Sequence, residues 1–119
     1  MLIADDEPRL RHLVRVTIAS NQYEVLEAED GDEAWALIQQ HRPSLVILDV
    51  KMPGRDGLEL TRAIKAAPEL AGTHVILLTA YGQDTDMQAG QDAGADLFLT
   101  KPFSPLQLLT SVERALGLP

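Results

Sequence analysis

The chain has 119 residues, a formal net charge of −8 and no cysteine. That length fits one compact domain, expected to span residues 1–119, able to bury more than half of its unfolded surface and leaving no room for a second. Disulfides and thiolate-held metals are excluded, no apolar run reaches the roughly 18 residues of a membrane span, and the acidity argues against direct nucleic-acid binding by this domain.

A first strand is expected near residues 1–5, ending in Asp5-Asp6. Acidic residues follow Met1-Leu2-Ile3-Ala4 at once, without the charged start of a secretory leader, so a cytoplasmic location is expected. Pro8 suits the first turn of a helix near 8–20, in which Leu10, Leu13, Val14 and Ile18 share one face and Arg9, Arg11 and Arg15 lie outside. A second strand near 23–28 leads to a helix near 32–41, started by Asp30 or Gly31 and carrying Ala34, Leu37 and Ile38 inward. That helix stops before Pro43, because the preceding residue, Arg42, is steered from helical geometry.

Leu45-Val46-Ile47-Leu48 is apolar enough for a strand near 45–49 buried on both faces, with Asp49 at its end. The next helix, near 57–67, is expected to turn Leu58, Ala63 and Ile64 inward with Leu60 flanking, and to close at Pro68. A strand near 74–79 ends in Thr79-Ala80. The helix near 84–93 has one large apolar side chain, Met87, and Gly90 costs it about 1 kcal/mol against alanine, so it is expected to be the least stable helix. The last strand, near 96–99, runs into Lys101-Pro102, and a final helix near 105–116 carries Leu106, Leu109, Val112 and Leu116. Gly117-Leu118-Pro119 reads as a tail or the first residues of a linker.

Apolar strands alternating with helical segments indicate an α/β fold around a parallel sheet. In such a sheet the carboxyl ends of the strands share one edge, so Asp5, Asp6, Asp49, Thr79, Ala80 and Lys101 can converge. Neighbouring carboxylates repel unless a proton or cation intervenes, and Mg2+ accepts one or two direct carboxylates together with waters and phosphate oxygens. Asp49 would supply a third carboxylate to Asp5 and Asp6, and the Lys51 carbonyl a neutral ligand. A carboxylate attacking phosphorus yields an acyl phosphate, with Asp49 as nucleophile, Lys101 as a second cation, and the Thr79 hydroxyl and Ala80 N–H beside a phosphoryl oxygen.

The segments Ala-Asp-Asp-Glu-Pro at 4–8, Leu-Asp-Val-Lys-Met-Pro-Gly-Arg-Asp-Gly at 48–57, Leu-Thr-Ala-Tyr-Gly at 78–82, Ala-Gly-Ala-Asp at 93–96 and Lys-Pro-Phe at 101–103 give the chain its nearest likeness. It resembles the receiver domain of two-component response regulators from Leu2 to Leu116. The resemblance implies a flavodoxin-like, doubly wound, five-stranded parallel sheet in the order 2-1-3-4-5 with five helices. It further implies that Asp49 accepts a phosphoryl group from a histidine kinase or histidine phosphotransfer protein, with Mg2+ held by Asp5 or Asp6, Asp49 and the Lys51 carbonyl.

On the same basis Thr79 and Lys101 read the phosphate, and the peptide before Pro102 is cis. A shift of Thr79 is coupled to inward rotation of the aromatic at position 98. Phe98 lacks the hydroxyl of the tyrosine often found there, so its switch would rest on packing. Lys51 and Tyr81 lie two residues beyond Asp49 and Thr79 and are expected to set the lifetime of the phosphorylated state. The output face would comprise the helix near 84–93, the strand near 96–99 and the last helix, and would be the place for a phosphorylation-dependent homodimer. Such a domain catalyses only its own phosphoryl transfer and dephosphorylation.

The alternative is a receiver-like scaffold that binds partners without being phosphorylated. A phosphohydrolase wants a second carboxylate where Lys51 stands, and a flavin site would need a phosphate loop where Asp5-Asp6-Glu7 would repel the phosphate.

Overall fold

The computed structural model describes residues 1–19, 23–80 and 84–117. Five strands, β1 (Leu2–Ala4), β2 (Leu26–Ala28), β3 (Leu45–Asp49), β4 (His74–Ala80) and β5 (Leu97–Lys101), form one sheet in the order β2-β1-β3-β4-β5. Every pairing is parallel. The described residues include five α-helices, α1 (Pro8–Ala19), α2 (Gly31–His41), α3 (Gly57–Ala66), α4 (Asp84–Ala93) and α5 (Pro105–Ala115). This is the flavodoxin-like arrangement that the resemblance implied.

Strand side chains alternate between two cores, as a period of two requires. Leu2, Ala4, Val46, Leu48, Val75 and Leu77 pack with Ala34, Ile38, Leu60 and Ile64 of α2 and α3. Ile3, Leu45, Ile47, Ile76 and Leu78 pack on the other side with Val14 and Ile18 of α1 and Leu108 and Val112 of α5. Leu45, Val46, Ile47 and Leu48 are wholly buried, each worth about 1.5–3 kcal/mol, which anchors β3 at the centre and its terminal Asp49 at the sheet edge.

Helix starts are chemically specified. Asp30 and Asp56 accept the N–H groups of Glu33 and Glu59, both at 2.8 Å, and Ser104 with Gln107 closes a capping box on α5. Arg42, at φ 45°, ends α2 in the left-handed conformation, its N–H bonded to the Ile38 carbonyl.

Several local readings need correction. Pairing of β2 starts at Leu26, whose N–H donates to the Met1 carbonyl at 2.8 Å, while Tyr23 and Val25 only pack by their side chains. Strand β5 runs on through Lys101, because Thr100 and Lys101 pair with Thr79 and Ala80. In α3 the buried stripe is Gly57, Leu60, Thr61 and Ile64, and Leu58 and Ala63 flank it. That stripe has regular helical spacing but includes a glycine and a threonine, which an apolar pattern passes over. Pro68 opens a short 3-10 turn, Pro68–Leu70, that sends Leu70 into the core. In α5, Leu108, Val112 and Ala115 face inward and Leu106 is 72% exposed; in α1, Leu13 also lies outside the buried face.

Candidate functional site

Register places the polar residues together. Ala4 pairs with Leu48, so Asp5 follows β1 at the level of Asp49; Asp49 pairs with Leu78, and Ala80 with Lys101. Gly57 lets the start of α3 close on β3: its N–H donates to the Val50 carbonyl at 3.0 Å, and a Cβ there would collide with the Asp49 carbonyl. At the resulting edge, one carboxylate oxygen from each of Asp5, Asp6 and Asp49 lies within 4.8 Å of the others.

Asp5 is fully buried and held at every polar atom. Its N–H donates to the Ala28 carbonyl (3.1 Å), Oδ1 accepts from the Glu7 N–H (2.8 Å), Oδ2 from Lys101 Nζ (2.8 Å), and its carbonyl from Arg11 (2.6 Å). Asp49 accepts from Lys101 Nζ at 3.2 Å and from the Lys51 N–H at 3.3 Å. Asp6 is exposed.

Three carboxylates thus face one ammonium. Burial pushes the Asp49 carboxyl above its ordinary pKa, and the Asp5 charge adds to this against the opposing pull of Lys101 and the Lys51 N–H. Burial alone would lower Lys101, but its hydrogen bond to Asp5 and the charges of Asp49 and Asp5 outweigh it and hold the ammonium above the usual lysine value. This donor set, all hard oxygen with negative charge in excess, could hold a divalent cation such as Mg2+.

Thr79 is 2% exposed, and its hydroxyl has no hydrogen-bond partner among the described residues. Such an orphan costs about 1–3 kcal/mol and fits a site built to receive an acceptor oxygen. Ala80 is exposed beside it. An open groove of about 390 Å³ reaches Ala80 and Lys101 between Leu10 and Leu13 of α1 and Phe103 beyond β5.

Lys51 is exposed at the rim, and the Lys101–Pro102 peptide is cis. Tyr81 lies outside the described residues. Phe98 is half-buried against Leu77 and α4, where Gly90 makes the approach possible: a Cβ at Gly90 would stand 2.6 Å from Phe98 Cε1 and 2.7 Å from Leu77 Cδ1. The glycine that weakens α4 is thus the one residue that fits there. Sequence reasoning missed Arg11, placed outside with its neighbours on α1 yet only 13% exposed. Its bond runs to a backbone carbonyl, which no residue pattern announces.

The family model for the response regulator receiver domain matches residues 1–113. The chain belongs to that family. This receiver domain is similar over 116 residues to the transcriptional regulatory protein ResD of Bacillus subtilis, at 40% identity, covering 98% of the chain and 47% of the relative. It is likewise 38% identical over 116 residues to the phosphate regulon transcriptional regulatory protein PhoB of Pseudomonas aeruginosa, covering 98% of the chain and 51% of PhoB. The receiver domain spans about half the length of the curated relatives it matches. Among solved structures, the chemotaxis response regulator CheY4 of Vibrio cholerae superposes with a TM-score of 0.90 at 35% identity, covering 96% of this chain and 95% of that one. The domain is therefore a signalling module of the two-component type, and no described helix is long and apolar enough to cross a membrane.

Proposed function

We propose that Asp49 is the phosphoacceptor of this receiver domain, charged in the cytoplasm by a phosphohistidine on a histidine kinase or phosphotransfer protein. The observation that carries the reading is the meeting of the Asp5, Asp6 and Asp49 carboxylates with Lys101 bridging the two more buried ones.

The Asp49 carboxylate attacks phosphorus, the P–N bond breaks with its electron pair passing to the imidazole, and an acyl phosphate remains on Asp49. Asp5, Asp6, Asp49 and the Lys51 carbonyl would hold Mg2+, which when bound neutralises charge on the phosphoryl oxygens. Lys101 is within reach to exchange its Asp49 contact for a phosphoryl oxygen, and Thr79 has a free hydroxyl to donate to another. Movement of Thr79 then frees room for Phe98, and the change is read on the face formed by α4, β5 and α5. Lys51, exposed at the rim, and the residue two beyond Thr79, Tyr81, set the lifetime of the phosphorylated state.

Mass spectrometry after incubation with acetyl phosphate and magnesium tests this directly. A single phosphoryl adduct on the wild-type chain and none on Asp49→Asn is expected. No adduct in the wild type would favour the scaffold reading, and an adduct that persists in Asp49→Asn would overturn Asp49 as the acceptor.

A further inference from the structure

We propose that Arg11 is a positioning residue: it fixes the Asp5–Asp6 peptide and thereby sets the divalent-cation affinity of the acidic site, and Glu27 on β2 keeps it in place. The inference rests on the reading of Asp5, Asp6 and Asp49 as cation ligands.

Arg11 sits on the second turn of α1, its N–H bonded to the Glu7 carbonyl at 3.2 Å. The Arg11 side chain is only 13% exposed, so its charged end needs partners, and here the planar fork serves two at once. One nitrogen donates to the Asp5 carbonyl at 2.6 Å, while Nε lies 3.5 Å from Glu27 Oε1. Glu27 in turn meets Arg15 at 3.2 Å, so the carboxylate is held from both sides.

The Asp5 carbonyl belongs to the rigid peptide plane that carries Asp6. The peptide on the other side of Asp5 is held by the Ala28 carbonyl at 3.1 Å. With both planes fixed, the main chain leaves Asp5 in one direction. Asp6 is exposed, so the aim of its carboxylate is set by the backbone beneath it rather than by packing. Arg11 is the side chain that grips that backbone, in the way that groups bonded to metal ligands orient them elsewhere.

Charge and geometry make opposite predictions, which gives the test its edge. Deleting a cation near an acidic site strengthens its attraction for a divalent ion, whereas releasing the Asp5–Asp6 peptide weakens binding. Mg2+ is titrated into the full chain by calorimetry, with the Asp6 amide shift followed by NMR and thermal unfolding recorded in parallel.

Arg11→Met is expected to bind Mg2+ about tenfold more weakly than the wild type. Arg11→Lys keeps the charge but lacks the fork and is expected to weaken binding as well. Glu27→Ala should shift affinity the same way by less, and Arg15→Gln, which loosens one side of Glu27, by less still. Should Arg11→Met fail to fold, Arg11→Lys and Glu27→Ala carry the comparison.

Unchanged or tighter Mg2+ binding in the Arg11 variants overturns the positioning role while leaving the acidic site intact. A wild-type chain that takes up no Mg2+ overturns both this inference and the reading of the site beneath it.

Discussion

Around Asp5, every polar atom has a partner and the residue is sealed from solvent; two strands away at Thr79, a hydroxyl just as buried has none among the described residues. The first arrangement fixes a carboxylate in one orientation. The second stores an unmet hydrogen bond worth about 1–3 kcal/mol, available to any ligand that brings an acceptor. Side by side, they show a site rigid where a cation would be held and unsatisfied where a phosphoryl oxygen would arrive.

The sharpest way to break the contrast is to remove Lys101, the cation that satisfies both Asp5 and Asp49. Lys101→Met leaves a buried carboxylate without its partner, and metal-free unfolding in urea with chelator should show a loss of about 2–3 kcal/mol, moderated because Lys101 retains some solvent. Added Mg2+ should restore part of it.

A smaller effect, of opposite sign, is expected at Asp49. Its carboxyl lies above its ordinary pKa, first through burial and then through Asp5, so the folded chain binds that proton more readily than the unfolded chain. Stability from this group therefore falls as pH rises from the ordinary carboxylate value through the folded one. Asp49→Asn should raise the metal-free Tm by a few degrees at neutral pH, and the gain should shrink on acidification through that window. A gain independent of pH would sink the electrostatic account.

Thr79→Val sharpens the contrast most gently. Exchanging an orphan hydroxyl for a methyl should leave stability unchanged or raise it by up to about 1 kcal/mol in thermal unfolding, while the acetyl phosphate adduct decays faster. A clear loss of stability would mean that the hydroxyl is already satisfied.

The polar ends of the strands were legible in the sequence because each follows an unbroken apolar run, and parallel strands deliver their ends to one edge. The order of those strands came through family likeness. Helix faces were less legible: the apolar pattern puts Leu60 on the flank and Leu106 inward, since glycine, threonine and alanine complete the true stripes where a hydrophobic count looks for larger residues. The bond of Arg11 and the packing role of Gly90 were illegible for a related reason. One is defined by a carbonyl it reaches and the other by a ring it admits, and both partners come from elsewhere in the chain.

The ion pair between Lys101 and Asp5 joins residues 96 positions apart. During synthesis, the first acidic residues emerge long before their cation leaves the ribosome, so Asp5 is without its ammonium until the fifth strand docks. A polypeptide ending before β5 carries the acidic residues but lacks the ammonium that bridges Asp5 and Asp49.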